Sequence, residues 1–316
     1  MLKKIFADLT KLISEAVLSC KSDCIALSGG LDSSILTSYL KKNTKAIVVV
    51  TKDFPSSDLV FSQLIAKEFG LQLVIKKATI ADLMYSIEET IKILENFNNI
   101  EIRNSIVLFI AIMEAKENGC TSIITGDGCD ELFAGYSFFL KKNDIELQKD
   151  LERIWEIMHF PSQKIGKALG VSIESPFLNE KVANYAKSIS VDLKVHNENN
   201  KKYGKWILRK AYENIIPGSV LWREKSPMQD GSGTNSLTEF FENSISNETF
   251  ESKRRSYLKK DKVKLNSKES LYYYETYRKF FDPPYLTGSS KYRCPDCQAV
   301  VSKNSHFCRM CGSFPI

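Results

Sequence analysis

Over the first two-thirds of the chain, short β-branched runs alternate with longer stretches in which apolar residues recur every three or four positions. The runs CIALS (24–28), AIVVVT (46–51), LQLVIKK (71–77) and TSIIT (121–125) predict strands. Between them SSILTSYLKK (33–42), SSDLVFSQLIAKEFG (56–70) and the segments 81–95 and 105–118 predict helices, with Gly70 and Gly119 as stops. Strands alternating with helices imply an α/β fold: a parallel sheet wrapped by helices on both faces. Such sheets take ligands beyond the carboxyl ends of their strands. Two glycine-rich turns, 29–30 and 126–128, fall there.

From about 145 to 285 the pattern is mainly helical and less regular, and 281–290 (FDPPYLTGSS) is rich in Pro, Gly and Ser. The organisation expected is an amphipathic N-terminal helix (1–20), a main domain (21–282), a linker (283–290) and a separate small module (291–316). Charge and composition narrow the class. Apolar residues at 43% allow a buried core, and no run of eighteen apolar residues exists to form a membrane-spanning helix. Lys3 and Lys4 precede no long apolar block, so the N-terminus does not read as a signal peptide and a cytoplasmic protein is expected. The net charge of +6 is mild. Much of it lies in 251–270, with eight Lys or Arg against three acids, which reads as a solvated surface in preference to a nucleic-acid patch.

The first turn reads Ser28-Gly29-Gly30-Leu31-Asp32-Ser33-Ser34 and joins a strand to a helix. The glycines let the backbone approach an anion, and the N–H groups of the helix start attract one. Three serine hydroxyls add donors. Asp32 is compatible with a phosphate only beside a cation, which makes it a candidate Mg²⁺ ligand. A Walker A loop is excluded, since its Lys is absent. SGGLDSS resembles the signature of the ATP pyrophosphatases (PP-loop enzymes), whose loop holds the departing pyrophosphate. The second turn is Thr125-Gly126-Asp127-Gly128-Cys129-Asp130-Glu131. Its three crowded carboxylates need a metal or a basic group beside them.

TGDGCDELFAGY (125–136) resembles a stretch of the asparagine synthetase C-terminal domain. EIRNSIV (101–107), LGVSIESPFLN (169–179), GKWILRKAY (204–212), REKSPMQDGSG (223–233) and SKESLYYYETYRKFF (267–281) resemble further pieces in the same order. The resemblance spans about residues 20–282. It implies an adenine nucleotide alpha hydrolase-like fold and an amide-forming ligase that uses ATP and Mg²⁺. Such a ligase adenylates a carboxylate, aspartate for asparagine synthesis, and releases AMP and pyrophosphate. Carried over by position, Ser28 to Ser34 and Gly126 hold the ATP phosphates, Asp32 and Asp130 bind Mg²⁺, and Asp127, Asp130 and Lys225 are catalytic. Lys225 is the cation expected to neutralise charge on the α-phosphate. Three positions depart from the pattern: Ser172 and Glu174 replace a Glu and an Arg, and Asn179 replaces an Asp.

The synthetase motifs begin by residue 24, so a glutaminase domain like that of full-length relatives is not expected ahead of them. The expected nitrogen source is therefore free ammonia, a separate amidotransferase or another amine. Cys20 and Cys24 read as core thiols. Four other cysteines, Cys294, Cys297, Cys308 and Cys311, form two C-x-x-C knuckles, the spacing of a structural Zn²⁺ ribbon. This tail is foreign to ordinary asparagine synthetases and is a candidate docking point for a protein or tRNA partner. Two rival readings follow from it: a PP-loop tRNA-modifying enzyme, and a non-catalytic adaptor.

Overall fold

The computed structural model describes residues 2–52, 56–224, 228–303 and 305–316. Two compact units share the chain. The first comprises 1–50, 56–76 and 111–227, and the second 51–55, 77–110 and 228–316.

Five strands form one sheet: β1 (Cys24–Ala26), β2 (Lys45–Thr51), β3 (Gln72–Ala78), β4 (Ser122–Ile124) and β5 (Ser172–Glu174), in the order β3-β2-β1-β4-β5. The pairs β1–β2, β1–β4 and β4–β5 are parallel. β2 is buried from Ala46 to Thr51, as its unbroken apolar run requires in a sheet covered on both faces. β3 at the edge alternates, with Ile75 exposed. The order reverses between β1 and β4, and each ends in one of the two glycine turns, so both turns lie at the switch point of the sheet.

Helix α1 (Leu2–Leu18) sinks Leu9, Ile13, Ala16 and Val17 into the core of the first unit. Helix α2 (Leu31–Thr37) begins two residues earlier than the periodicity predicts, because Gly30 takes an extended φ/ψ and serves as its N-cap. It ends early as Ser38, Tyr39 and Leu40 switch to i−3 bonding. Helix α3 (Asp58–Phe69) stops at Gly70, whose φ of +67° supplies the left-handed cap. Helix α4 (Ile80–Leu94) carries a Thr79–Asp82 capping box. Helix α5 (Asn99–Glu117) starts six residues before the predicted segment. The buried Asn98 side chain accepts from the Ile100 and Glu101 N–H groups and extends the helix over a polar stretch.

The region after 145 is mainly helical, as expected, but holds a hairpin: β6 (Val195–Glu198) pairs antiparallel with β7 (Lys201–Gly204). Asn199 and Asn200 turn it with φ of +50° and +62°, the backbone of a tight two-residue turn. In the second unit, Pro283 and Pro284 of the expected linker are buried. The C-terminal ribbon is bonded to the same unit: Phe97 N–H donates to Met310 O (2.9 Å) and Lys264 N–H to Asp296 O (2.7 Å). No helix among the described residues is long and apolar enough to cross a membrane.

Candidate active site

The two glycine turns touch. A Cβ placed on Gly126 would lie 3.2 Å from Cβ of Asp32, so the second turn runs directly over the first. Gly29, at φ +65°, has no room for a side chain against the backbone of Phe61. Within the first turn, the hydroxyls of Ser33 and Ser34 donate to Gly30 O (3.3 and 2.7 Å), and Ser28 Oγ accepts from Gly30 N–H (3.3 Å). Ser34 is fully buried and Leu31 nearly so. The Ser33 and Ser34 hydroxyls are therefore spent on shaping the loop.

Lys205 joins the turns. Its Nζ lies 2.6 Å from both carboxylate oxygens of Asp32 and 2.6 Å from Oδ1 of Asp130. The lysine side chain is only 4% exposed, and the two aspartates 19% and 17%. Burial by itself would push the ammonium pKa down. The charges of Asp130 and then Asp32 outweigh it and hold Lys205 above the usual lysine range, fully protonated at neutral pH. The basic group that the crowded carboxylates demand thus comes from the hairpin. Gly204 closes β7, and Lys205 follows at φ +54°, a strained backbone for a side-chain-bearing residue. Gly135 is needed beside it. A Cβ there would sit 1.9 Å from Asp130 Oδ1 and 2.2 Å from Lys205 Cε.

Asp127 is held differently. Its Oδ2 accepts from Thr125 (2.8 Å) and Ser162 (2.5 Å), and Ser175 also bonds the carboxylate. Burial raises its pKa, and these three hydroxyls pull it part of the way back. Glu131 is likewise raised by burial and receives the Tyr136 hydroxyl at 2.5 Å. Asp32 and Asp130 offer carboxylate oxygens, the hard donors Mg²⁺ takes, and the point these oxygens share is held by the Lys205 ammonium.

Lys225 lies outside the described residues. The chain leading to it is anchored in the first unit. The Arg223 guanidinium lies 4.0 Å from the centre of the Phe61 ring and donates to Ser57 (2.8 Å), and Phe61 is the residue against Gly29. The buried Arg209 donates to the carbonyls of Leu221 and Arg223. Of the departures, Glu174 turns its carboxylate onto the N–H groups of Lys21 and Ser22, and Asn179 caps the helix Glu180–Ser188. Cys24 is buried, and burial together with Glu174 pushes the Cys20 thiol up to about 12, as befits inert thiols. Lys205 and Arg209 carry no signal of their role in the sequence. Both stand in GKWILRKAY, where nothing local distinguishes them from surface cations.

The Sγ atoms of Cys294, Cys297, Cys308 and Cys311 all lie within 4.8 Å of one another, with pairs at 3.7 and 3.6 Å. Tetrahedral Zn²⁺ with Zn–S bonds of about 2.3 Å requires sulfur separations near 3.8 Å, so the cluster fits that ion.

A probable glutamine-hydrolysing asparagine synthetase of Dictyostelium discoideum is 30% identical over 294 residues, covering 83% of this chain and 51% of that protein. Asparagine synthetase B of Escherichia coli (strain K12), also glutamine-hydrolysing, is 28% identical over 303 residues, covering 87% and 54%. The chain spans about half the length of these relatives. A solved NMN synthetase from Francisella tularensis aligns at a TM-score of 0.40 and 12% identity, covering 92% of this chain and 99% of that one. The asparagine synthase family model matches residues 9–154 and 144–283, a stretch that carries both glycine turns, Lys205 and Lys225, and the chain belongs to that family.

Proposed function

We propose that the protein is an ATP-dependent amide-forming ligase that adenylates a carboxylate, with the aspartate side chain as substrate and asparagine as product. The nitrogen comes from ammonia or a separate donor. One observation carries the reading: Lys205 clamps Asp32 and Asp130 together at the switch point of the sheet, where the first turn offers its backbone to phosphate.

In the first step a carboxylate oxygen attacks the α-phosphorus of ATP, and the bond to the β-phosphate breaks to release pyrophosphate. In the second, the amine nitrogen attacks the acyl carbon, loses a proton, and AMP departs. The backbone of Ser28 to Ser34 and Gly126 holds the phosphates in line. Bound Mg²⁺ would supply charge neutralisation and a template for phosphate oxygens, with Asp32 and Asp130 as its protein ligands. Lys205 keeps those two carboxylates in place. Asp127, fixed by three hydroxyls, is the group we assign to take the proton that the amine loses. Lys225 neutralises charge that develops on the α-phosphate. The four C-terminal cysteines hold a structural Zn²⁺, all ligand positions being thiolate.

The test is incubation with ATP, Mg²⁺, ammonia and a panel of carboxylates, following AMP, pyrophosphate and product by mass. Aspartate-dependent AMP formation is expected, and production of ADP with orthophosphate would overturn the assignment. Lys225→Ala should lower turnover by about 10²–10³ through loss of transition-state stabilisation, with the circular dichroism spectrum unchanged.

A further inference from the structure

The ribbon's inner side is already occupied, and the occupant is its own unit. Its second knuckle, Met310 to Gly312, lies on the turn Asn96–Asn98 that starts α5. Phe97 N–H, fully buried, finds its acceptor in Met310 O. A Cβ on Gly312 (φ +83°) would come within 2.7 Å of Asn98 Oδ1, the atom that accepts from the Ile100 and Glu101 N–H groups. Asn96 closes the turn by accepting from Asn98 N–H (3.1 Å) and donating to Glu101 (2.7 Å). The Phe97 ring sits between Tyr274 and Tyr277, with centroids 4.9 and 5.3 Å away. The first knuckle is tied down at Lys264, whose N–H and ammonium both reach Asp296.

One turn further along α5 stands Arg103. It donates to Asn235 (2.6 Å) and Thr238 (3.2 Å) and pairs with the buried Glu269, while its carbonyl accepts from Thr234 (3.3 Å). Residues 234–238 follow the DGSG segment that succeeds Lys225 in sequence. The ribbon, the α5 start and this segment therefore form one continuous set of contacts within the second unit.

We propose that the metal at Cys294, Cys297, Cys308 and Cys311 acts as a clamp on the start of α5. Loaded, it holds the second knuckle in the shape that supplies the Phe97 acceptor and covers Asn98. Unloaded, the knuckle collapses, the cap of α5 is uncovered, and the Arg103 contacts to residues 234–238 loosen. A module this small lacks a core that could hold its shape without the ion. The inference rests on the Zn²⁺ reading of the four cysteines and adds to it an intramolecular job in place of partner recruitment.

The experiment is hydrogen exchange on the full chain, with bound Zn²⁺ quantified in parallel. Stripping the metal with a chelator should speed exchange of the 97–103 amides by about tenfold or more, local opening being what these amides report. Added Zn²⁺ should restore them. Gly312→Ala should retain one equivalent of Zn²⁺ yet show the same loosening at 97–103, since its four thiols are intact while its contact with Asn98 is not. If the stripped chain loses protection only within 291–316, with 97–103 unmoved, the clamp is refuted and the Zn²⁺ site stands. A chain that takes up no Zn²⁺ overturns both. Neither result bears on the ligase chemistry, which the AMP assay reads separately.

Discussion

Replacing Lys205 by Met is the sharpest perturbation the site allows. Met keeps the length and apolar stem of the side chain and removes its charge. In the native protein one ammonium neutralises two carboxylates, each with an oxygen 2.6 Å from the same nitrogen, so those oxygens lie within twice that distance of each other. Removing one partner of a buried ion pair typically costs about 3–5 kcal/mol. The aspartates keep 19% and 17% of their side-chain surface in water, which screens part of their repulsion, so the lower end, about 3 kcal/mol, is expected. For a folding unit the size of the first, which holds Lys205, roughly 2–4 °C of melting temperature accompanies each kcal/mol, so Lys205→Met should lower that unit's melting by about 6–12 °C. Mg²⁺ provides the decisive control. The unpaired carboxylates should bind it more tightly, and Mg²⁺ at ten times its dissociation constant would return about 1.4 kcal/mol. Melting by circular dichroism, with and without Mg²⁺, measures both effects. A melting temperature within 2 °C of native (roughly the shift of one-half to one kcal/mol), or equal Mg²⁺ stabilisation of both proteins, would refute the claim that Lys205 is the cation fastening the two turns.

Two further outcomes follow from the same geometry. Gly135→Ala should destabilise the protein by about 1–3 kcal/mol through overpacking, read as a lower urea midpoint at unchanged m-value, because the added methyl overlaps Asp130 and the Lys205 stem. Lys194 is fully buried, its Nζ 4.6 Å from the Trp155 ring centre, and burial lowers its pKa to about 7. The unfolded chain then binds a proton that the native one lacks as pH rises from about 7 towards the ordinary lysine value near 10.4. The native protein should gain about 1.4 kcal/mol per pH unit over that window relative to Lys194→Met. Paired urea titrations at pH 7 and pH 9 read that difference, and a constant gap between the two proteins would contradict it.

The sequence by itself determined four of the five strands, both glycine turns and the cysteine knuckles, while β5, only three residues long, carries no run that marks it. Each of the former is written in a local pattern: a β-branched run ending in glycine, or two cysteines at fixed spacing. The hairpin 195–204 is not legible in the sequence, although its Asn199-Asn200 pair carries a turn signal, because the surrounding residues are polar and lack strand periodicity. The start of α5 is hidden for a similar reason, since it depends on one buried asparagine covered by a glycine more than two hundred residues away in the chain. What only the tertiary structure decided is which cation meets the acidic turns. Lys205 stands 173 residues from Asp32. In sequence it is one lysine among many. It becomes the shared counter-ion because β1 and β4 are neighbours in the sheet and the hairpin delivers the next residue between their two turns. Charge pairing is set by distance in space, and no local pattern along the chain encodes that distance.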